Sequence, residues 1–291
     1  MADSFTVTLL TKPTRLDRVL RNAFPQWGRQ TVQQLITGGK VTVNGRTVWL
    51  ASWEINNGDR VEISELPPAK PVAPDRFDDA WIIAETPELI AVNKPAGLLS
   101  EATRWGAGAN LLDLATARFG ALVLFHRLDR DTSGVLLLTR PGPINRLLDQ
   151  AFKSRTVEKE YLAVVHAPNR LAATGLIDTR LAPDPARRDK MRIVDRGGQR
   201  ALTRYAVEAE QEGRQLVRLW PQTGRTHQLR VHLAHLGAPI VGDRLYGPRP
   251  LLGERLLLHA YSISLPAADE FPVHTFLAPL PISFWPSEND E

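Results

Sequence analysis

Residues Phe125–Arg140 read FHRLDRDTSGVLLLTR. His126, Arg127, Asp129 and Arg130 crowd into five positions, and the turn-forming cluster Thr132-Ser133-Gly134 follows. The chain then becomes apolar over GVLLL, a short run suited to a buried strand. A carboxylate at such a loop–strand junction projects into a cleft while the strand fixes its position. Asp129 is therefore a candidate site residue. The competing reading is a structural aspartate that pairs with Arg127 or Arg130, or caps the turn. Asp129 and Asp131 also form a D-x-D pair able to offer two oxygens to a divalent cation, but no further acidic ligand lies close by. No metal is expected there.

Outward from this stretch, WIIAETPELIAVNKPAGLL predicts two strands joined by a turn, INRLLDQAFKSR a helix, and KEYLAVVH a strand. RQLVRLWPQTGRTHQLRVHLAHLG predicts a strand, a turn and a helix. Strands and helices do not alternate strictly, so the expected class is α+β with a mixed sheet rather than a doubly wound one. There is no internal repeat, no GxGxxG and no Walker-type glycine loop.

The first 66 residues read as a separate small unit. Leu16, Val19, Leu20, Ala23 and Phe24 fall on one helical face, and Thr14 with Asp17 fits a capping box at its start. A second short helix, RQTVQQLI, is stopped by Gly38-Gly39. KVTVNGRTVWL alternates around Asn44-Gly45, a strong hairpin signal, and NNGDRVEIS adds a turn and a strand. ELPPAKPVAPDR is proline-rich and predicts an extended spacer, with the linker at 67–76 and a larger domain over 77–291.

The chain has 291 residues, 43% of them hydrophobic and 23% charged, which is ordinary for a globular protein of about two domains. With no cysteine, disulfides, thiolate nucleophiles and Cys-ligated metals are excluded. No secretory signal is visible, and no run approaches the roughly 18 apolar residues of a membrane span. A cytoplasmic protein without a membrane partner is expected, and a monomer, since no long exposed heptad appears. The net charge is only +4. Yet Arg187–Arg204, RRDKMRIVDRGGQRALTR, holds seven cationic against two acidic side chains, a local excess above that of the whole chain. A Gly-Gly turn near its middle suggests a basic hairpin or loop. The choice lies between a solvated loop and a phosphate-binding strip.

On the predicted helix after TGRTH, Leu229, Leu233 and Leu236 share a core-facing side, and His227 and Arg230, three apart, share another. His232 and His235 lack HExxH or a nearby carboxylate, so they read as polar or packing residues. Tyr161 lies on a strand, and its hydroxyl needs a partner if buried, which favours a cleft edge.

Together these segments resemble the RluA-type pseudouridine synthases. NKPAGL (Asn93–Leu98), HRLDRDTSG (His126–Gly134), KEYLAVV (Lys159–Val165), TGRTHQLRVH (Thr223–His232), GAPIVGDRLYG (Gly237–Gly247) and LHA (Leu258–Ala260) stand in that family's order. The first unit is similar to the α-L RNA-binding module often joined to such enzymes, through TRLDRVL, LITGGKVTVNG and GDRVEI. The resemblance implies a largely antiparallel sheet with flanking helices and an enzyme that isomerises uridine within ribosomal or transfer RNA. It implies no cofactor and no DNA partner.

By that resemblance Asp129 is the essential carboxylate, Arg230 pairs with it, and Tyr161 stacks beside the base and assists proton handling. Leu229 packs under the uracil, and Arg127 enters the RNA where the target base has left. His126 and His227 belong to the substrate site. Arg15, Arg29 and Lys40 in the first unit, with Arg187, Arg188, Lys190 and Arg192 in the second, are the expected RNA-binding cations.

The residue types suit the chemistry. Detaching uracil builds positive character on the sugar, which an adjacent anion stabilises. An acid sheltered against a nucleotide stays ionised only with a cation close by. Extracting a base costs a few kcal/mol, and stacking returns ~1–3 kcal/mol per base. Two features depart from the commoner pattern, SEATRWGAGANLLD after KPAGLL and Trp220 where a histidine is frequent; both bear on which RNA is modified. Two other classes compete: a non-catalytic RNA-binding or ribosome-assembly factor of the same fold, and a metal-dependent transferase using Asp129 and Asp131.

Overall fold

The computed structural model describes residues 3–8, 12–25, 27–64, 74–103, 109–248, 255–266, 275–282 and 284–285. The chain divides into two compact units, Met1–Val72 and Ala73–Glu291. Most of the proline-rich stretch read as a spacer lies outside the described residues. Among the described residues no helix is long and apolar enough to cross a membrane.

The first unit orders β1 (Asp3–Thr6), β2 (Thr14–Arg15), α1 (Leu16–Ala23), α2 (Arg29–Thr37), β3 (Val41–Val43), β4 (Arg46–Thr47), β5 (Glu54–Ile55) and β6 (Arg60–Ile63). Leu16, Val19 and Leu20 of α1 are buried with Val32, Leu35 and Ile36 of α2 against Val41, Val61 and Ile63. At ~1.5–3 kcal/mol for each fully buried aliphatic side chain, this core is what holds two such short helices in place. Asn44 and Gly45 both take positive φ (50° and 77°), as the tight turn between β3 and β4 requires.

Two details correct the sequence reading. Ala23 is exposed, so the apolar face of α1 is narrower than expected. The capping box does not form: Thr14 donates its hydroxyl to the Lys12 carbonyl (3.1 Å), and Asp17 is taken by the Arg15 guanidinium (3.1 Å). Instead Leu16 and Asp17 donate their amides to the carbonyls of Trp53 and Ala51, which satisfies the open helix end.

The second unit orders β7 (Ile82–Glu85), β8 (Leu89–Lys94), α3 (Leu111–Phe119), β9 (Val123–Leu124), β10 (Ser133–Thr139), α4 (Ile144–Ser154), β11 (Glu158–His166), β12 (Thr174–Pro183), β13 (Met191–Ile193), β14 (Gln199–Gln211), β15 (Arg214–Pro221), α5 (Gln228–His235), β16 (Leu258–Ser264) and β17 (Thr275–Leu277). One sheet runs β13-β12-β14-β15-β11-β16-β10-β8-β7, with β17 on β16 and β9 on β10. Its pairs are antiparallel except β10 with β16. This is the mixed, largely antiparallel α+β architecture expected.

Strand β10 is apolar without alternation because both its faces are covered. Leu136 and Leu138 pack with Leu111 and Ala115 of α3, while Val135 and Leu137 pack with Leu148 and Ala151 of α4. Helix α5 covers a third region through Leu229 and Leu233. Leu236, expected on the same side, is exposed, since the helix ends at His235 and the chain turns at Gly237.

The basic stretch is more regular than a loop. Gly197 and Gly198, both at positive φ, make the turn between β13 and the 13-residue strand β14, which runs antiparallel to β12 and β15.

Candidate active site

The loop between β9 and β10 carries Asp129, and its backbone is held on both sides of that residue. Ser100 Oγ donates to the Leu128 carbonyl (2.9 Å) and accepts the Leu128 amide (3.0 Å). Beyond Asp129, the Arg130 carbonyl accepts both the Gly97 amide (2.8 Å) and the fully buried Lys94 ammonium (3.0 Å). Thr132 donates its amide to the Asp129 carbonyl, closing the turn (3.1 Å). Asp129 thus sits on a short loop clamped by the segment after β8, and its side chain stays partly open to solvent.

Arg230, on α5, is buried and divides its guanidinium between two carboxylates. Nε and Nη2 donate to the two oxygens of Asp243 (2.8 and 2.7 Å), and Nη1 donates to Oδ2 of Asp129 (3.2 Å). Its pKa is raised: burial opposes the charge, but Asp243 first and Asp129 second outweigh it. His227 reaches the same oxygen, Nε2 lying 3.8 Å from Asp129 Oδ2. Burial lowers its pKa, Asp129 resisting, which favours a neutral ring. Its Nδ1 is 2.8 Å from the hydroxyl of Tyr246. Oδ2 is hydrogen-bonded by Arg230 and approached by His227, and among the described residues Oδ1 has no hydrogen-bond partner.

Tyr161 approaches from β11 at a bulge between Glu160 and Tyr161, a distortion that re-aims a side chain. Glu160 is tied down by Arg218 and by the indole N–H of Trp220 (3.1 Å), which fixes the strand there. Burial first and the Asp129 charge second push the Tyr161 pKa up, so its phenol stays protonated.

Asp129, Tyr161, His227, Leu229 and Arg230 line one cleft of about 1290 Å³. The arrangement offers an anion with a fixed counter-ion, an aromatic ring and an apolar floor. That set can grip a flat heterocycle and stabilise positive charge on a sugar attached to it.

The other expected residues are distributed differently. His126 lines the cleft, but its Nε2 accepts the Leu137 amide (3.0 Å), so one ring nitrogen is committed to the sheet. Arg127 is well exposed and pairs with Glu101 (3.2 Å), in the segment that departs from the commoner family pattern. Arg187, Arg188, Lys190 and Arg192 do not line the cleft. They lie on and before β13, and Arg187 is folded onto Asp189 (2.8 Å). Arg200, Arg204 and Arg225 line it instead, Arg204 lying over the Trp220 ring at 4.5 Å. In the first unit Arg29 and Lys40 are exposed, and Arg15 is engaged by Asp17.

Sequence reasoning missed Asp243, Tyr246 and Lys94 as parts of the site. The signal for the first two was present: GDRLYG matched a motif, but no spacing rule ties Asp243 to an arginine 13 residues earlier across a turn.

A clamped carboxylate and an aromatic ring lining one basic cleft beside a mixed sheet suit an enzyme acting on a nucleotide in a polyanion. Comparison with known proteins agrees. A sequence model described as RNA pseudouridylate synthase matches residues 88–235, and an S4 domain matches residues 14–61. The chain belongs to the RNA pseudouridylate synthase family, with an S4 RNA-binding domain before the catalytic one.

An uncharacterized RNA pseudouridine synthase of Chloroflexus aurantiacus is 35% identical over 92% of this chain and 86% of its own. The ribosomal large subunit pseudouridine synthase D of Yersinia pestis is 30% identical over 81% and 74%. Among solved structures, human RNA pseudouridylate synthase domain containing 1 superposes with a TM-score of 0.60 at 28% identity, over 69% of this chain and 83% of that one. The chain is an RNA pseudouridine synthase, an isomerase whose partner is RNA.

Proposed function

We propose that this synthase modifies uridine in the RNA of the large ribosomal subunit, with Asp129 as the reacting carboxylate. The observation that carries the reading is the Asp129 side chain, 3.2 Å from the buried Arg230 guanidinium inside the cleft. The substrate assignment is supported by the names of relatives such as the Yersinia pestis enzyme.

In this reading the N1–C1′ bond of uridine breaks with its electron pair going to the base, and Asp129 stabilises or captures C1′ or C6. The uracil turns over and C5 bonds to C1′; any bond formed to Asp129 breaks with its electron pair returning to the carboxylate, the C5 hydrogen leaves to solvent, and N1 gains a proton. Atoms balance without a co-reactant, so no cofactor or metal is needed. Tyr161 stacks on the uracil and donates a hydrogen bond, Leu229 supports the opposite face, and Arg127 exchanges Glu101 for the RNA gap. The basic residues of the S4 domain and of the β12–β13 hairpin hold phosphates outside the cleft. One chain supplies the whole site, which favours a monomer, and a ribosomal substrate favours the cytoplasm.

The test is tritium release from transcripts labelled at uridine C5. Wild type is expected to release tritium from large-subunit ribosomal RNA. Asp129→Asn loses activity by roughly a thousandfold or more, as for removal of a nucleophile or central anion, while Asp131→Asn retains most of it. Equal rates for wild type and Asp129→Asn would end the assignment of the carboxylate. Release from transfer RNA alone would end that of the substrate.

A further inference from the structure

We propose that Asp243 and Tyr246, on the single turn Gly242–Gly247, are positioning residues for the reaction, Asp243 aiming Arg230 and Tyr246 aiming His227 at one oxygen of Asp129. The proposal rests on the reading of Asp129 as the reacting carboxylate and extends it to residues that touch no substrate.

A guanidinium is a planar fork, so gripping one edge dictates where its remaining donors point. Asp243 takes Nε and Nη2 with both oxygens and leaves Nη1 to face Asp129. Asp243 cannot swing away. It is fully buried, and its Oδ1 also accepts the amides of Leu245 (2.9 Å) and Tyr246 (3.1 Å).

Tyr246 works on the second donor. Its oxygen accepts the Met191 amide (2.8 Å), which leaves its own proton for Nδ1 of His227 (2.8 Å). A neutral His227 accepting at Nδ1 carries its proton on Nε2, the nitrogen that faces Asp129. The Tyr246 ring also lies 5.3 Å from the Arg230 guanidinium, so one side chain touches both donors. His227 holds a left-handed backbone, φ 56°, an unfavourable conformation for a non-glycine residue and one that recurs at functional sites. Arg230 bonds Oδ2, and His227 Nε2 stands 3.8 Å from the same oxygen, so both groups lie on one side of the carboxylate and Oδ1 is the oxygen left for the nucleotide.

The experiment compares the full-length chain with Tyr246→Phe, Asp243→Asn, Asp243→Glu and Asp129→Asn. It measures kcat and KM by tritium release from the large-subunit ribosomal transcript, and the His227 ring and Arg230 Nε–H signals by ¹⁵N NMR. Tyr246→Phe keeps the ring and removes one oxygen. It is expected to move His227 away from the Nε2–H tautomer and to lower kcat about tenfold with KM within about threefold, the pattern of an interaction needed in the transition state. Asp243→Asn is expected to release the Arg230 Nε–H to fast exchange and lower kcat by about a hundredfold, with partial rescue by Asp243→Glu.

Should the Asp243 variants fail to fold, Tyr246→Phe decides alone. A wild-type kcat in Tyr246→Phe overturns the proposal whatever the spectra show, and so does an unchanged His227 tautomer. Activity retained by Asp129→Asn would bring down the reading beneath it instead, and the spectra would separate the two failures.

Discussion

The ammonium of Lys94 donates to the carbonyl of Arg130, the residue after Asp129, at 3.0 Å, and to those of Pro95 (2.9 Å) and Leu98 (2.7 Å). Burial pulls its pKa to about 7, with Asp131 and then Asp129 resisting. Three carbonyls match three N–H bonds, so the charged form is the one that fits the cage. Lys94→Met keeps much of the stem but leaves the Pro95 and Leu98 carbonyls without their donor, while the Arg130 carbonyl keeps only the Gly97 amide. At ~1–3 kcal/mol for each buried polar group left unsatisfied, a loss of about 2 kcal/mol or more is expected, together with a fall in turnover as the Asp129 loop loosens. Urea unfolding checks this; a change under about 0.5 kcal/mol, within the range of surface substitutions, would show that the cage holds nothing.

Gly134, the second residue of β10, takes φ 116°, and a β-carbon there would collide with the backbone of Ala260 on β16. That close approach joins the Asp129 loop to the strand beside Tyr161, so Gly134→Ala must push two strands apart as well as strain the backbone. Gly45 offers the control, with φ 77° and open space around it. Gly45→Ala is expected to cost about 1 kcal/mol from backbone conformation alone, and Gly134→Ala about 3 kcal/mol or more, enough to prevent folding at moderate temperature. Comparable melting temperatures for the two variants would refute the packing argument.

Three histidines of the second unit are held neutral by their surroundings. Burial lowers the pKa of His126 to about 3 and those of His232 and His259 to about 4. His126 accepts the Leu137 amide, while His259 faces Ser133 Oγ through Nδ1 and the Ala278 carbonyl through Nε2. A ring that donates to that carbonyl must accept from the serine. In the unfolded chain each titrates near 6.5. Between the two values the unfolded state binds more protons, so stability is complete above about pH 6.5 and is lost as pH falls toward 4. The rings of His232 and His259, both fully buried, each contribute on the order of 3 kcal/mol to that loss. Denaturation midpoints at pH 7.5, 6 and 5 test the sign; a midpoint that rises on acidification would contradict it. His259→Asn should flatten the curve.

The sequence is a good guide where one physical cause acts locally. The apolar run of β10, the helix α4, the Asn44-Gly45 turn and the placement of Asp129 before a buried strand all follow from neighbours in the chain. It is a poor guide where partners are distant or where the signals conflict. Strand β14 alternates buried Ala201, Thr203 and Tyr205 with exposed Arg200 and Arg204, and the arginines left its start undecided between a basic hairpin and a loop. Arg15 intercepted the aspartate that a capping box would have used. Asp243 and Tyr246 acquire their partners only when the turn after α5 folds back over Arg230, and nothing in their spacing announces it.

Each unit encloses its own hydrophobic core: Leu16, Leu20, Ile36 and Ile63 belong to the first, and the strands around β10 to the second. A chain beginning at Ala73 should therefore fold and carry the whole cleft. What it loses is the S4 domain with its exposed Arg18, Arg29 and Arg46. Two linked binding modules raise each other's effective concentration, so RNA affinity is expected to fall about 10- to 100-fold while kcat at saturating RNA stays within about threefold. Fewer phosphate contacts also release fewer counter-ions, so the plot of log affinity against log salt becomes shallower. Binding measured at several salt concentrations separates the two contributions. Equal affinity and slope for the full and shortened chains would mean that the S4 domain does not hold the same RNA, and a collapse of kcat would mean that it helps to build the cleft.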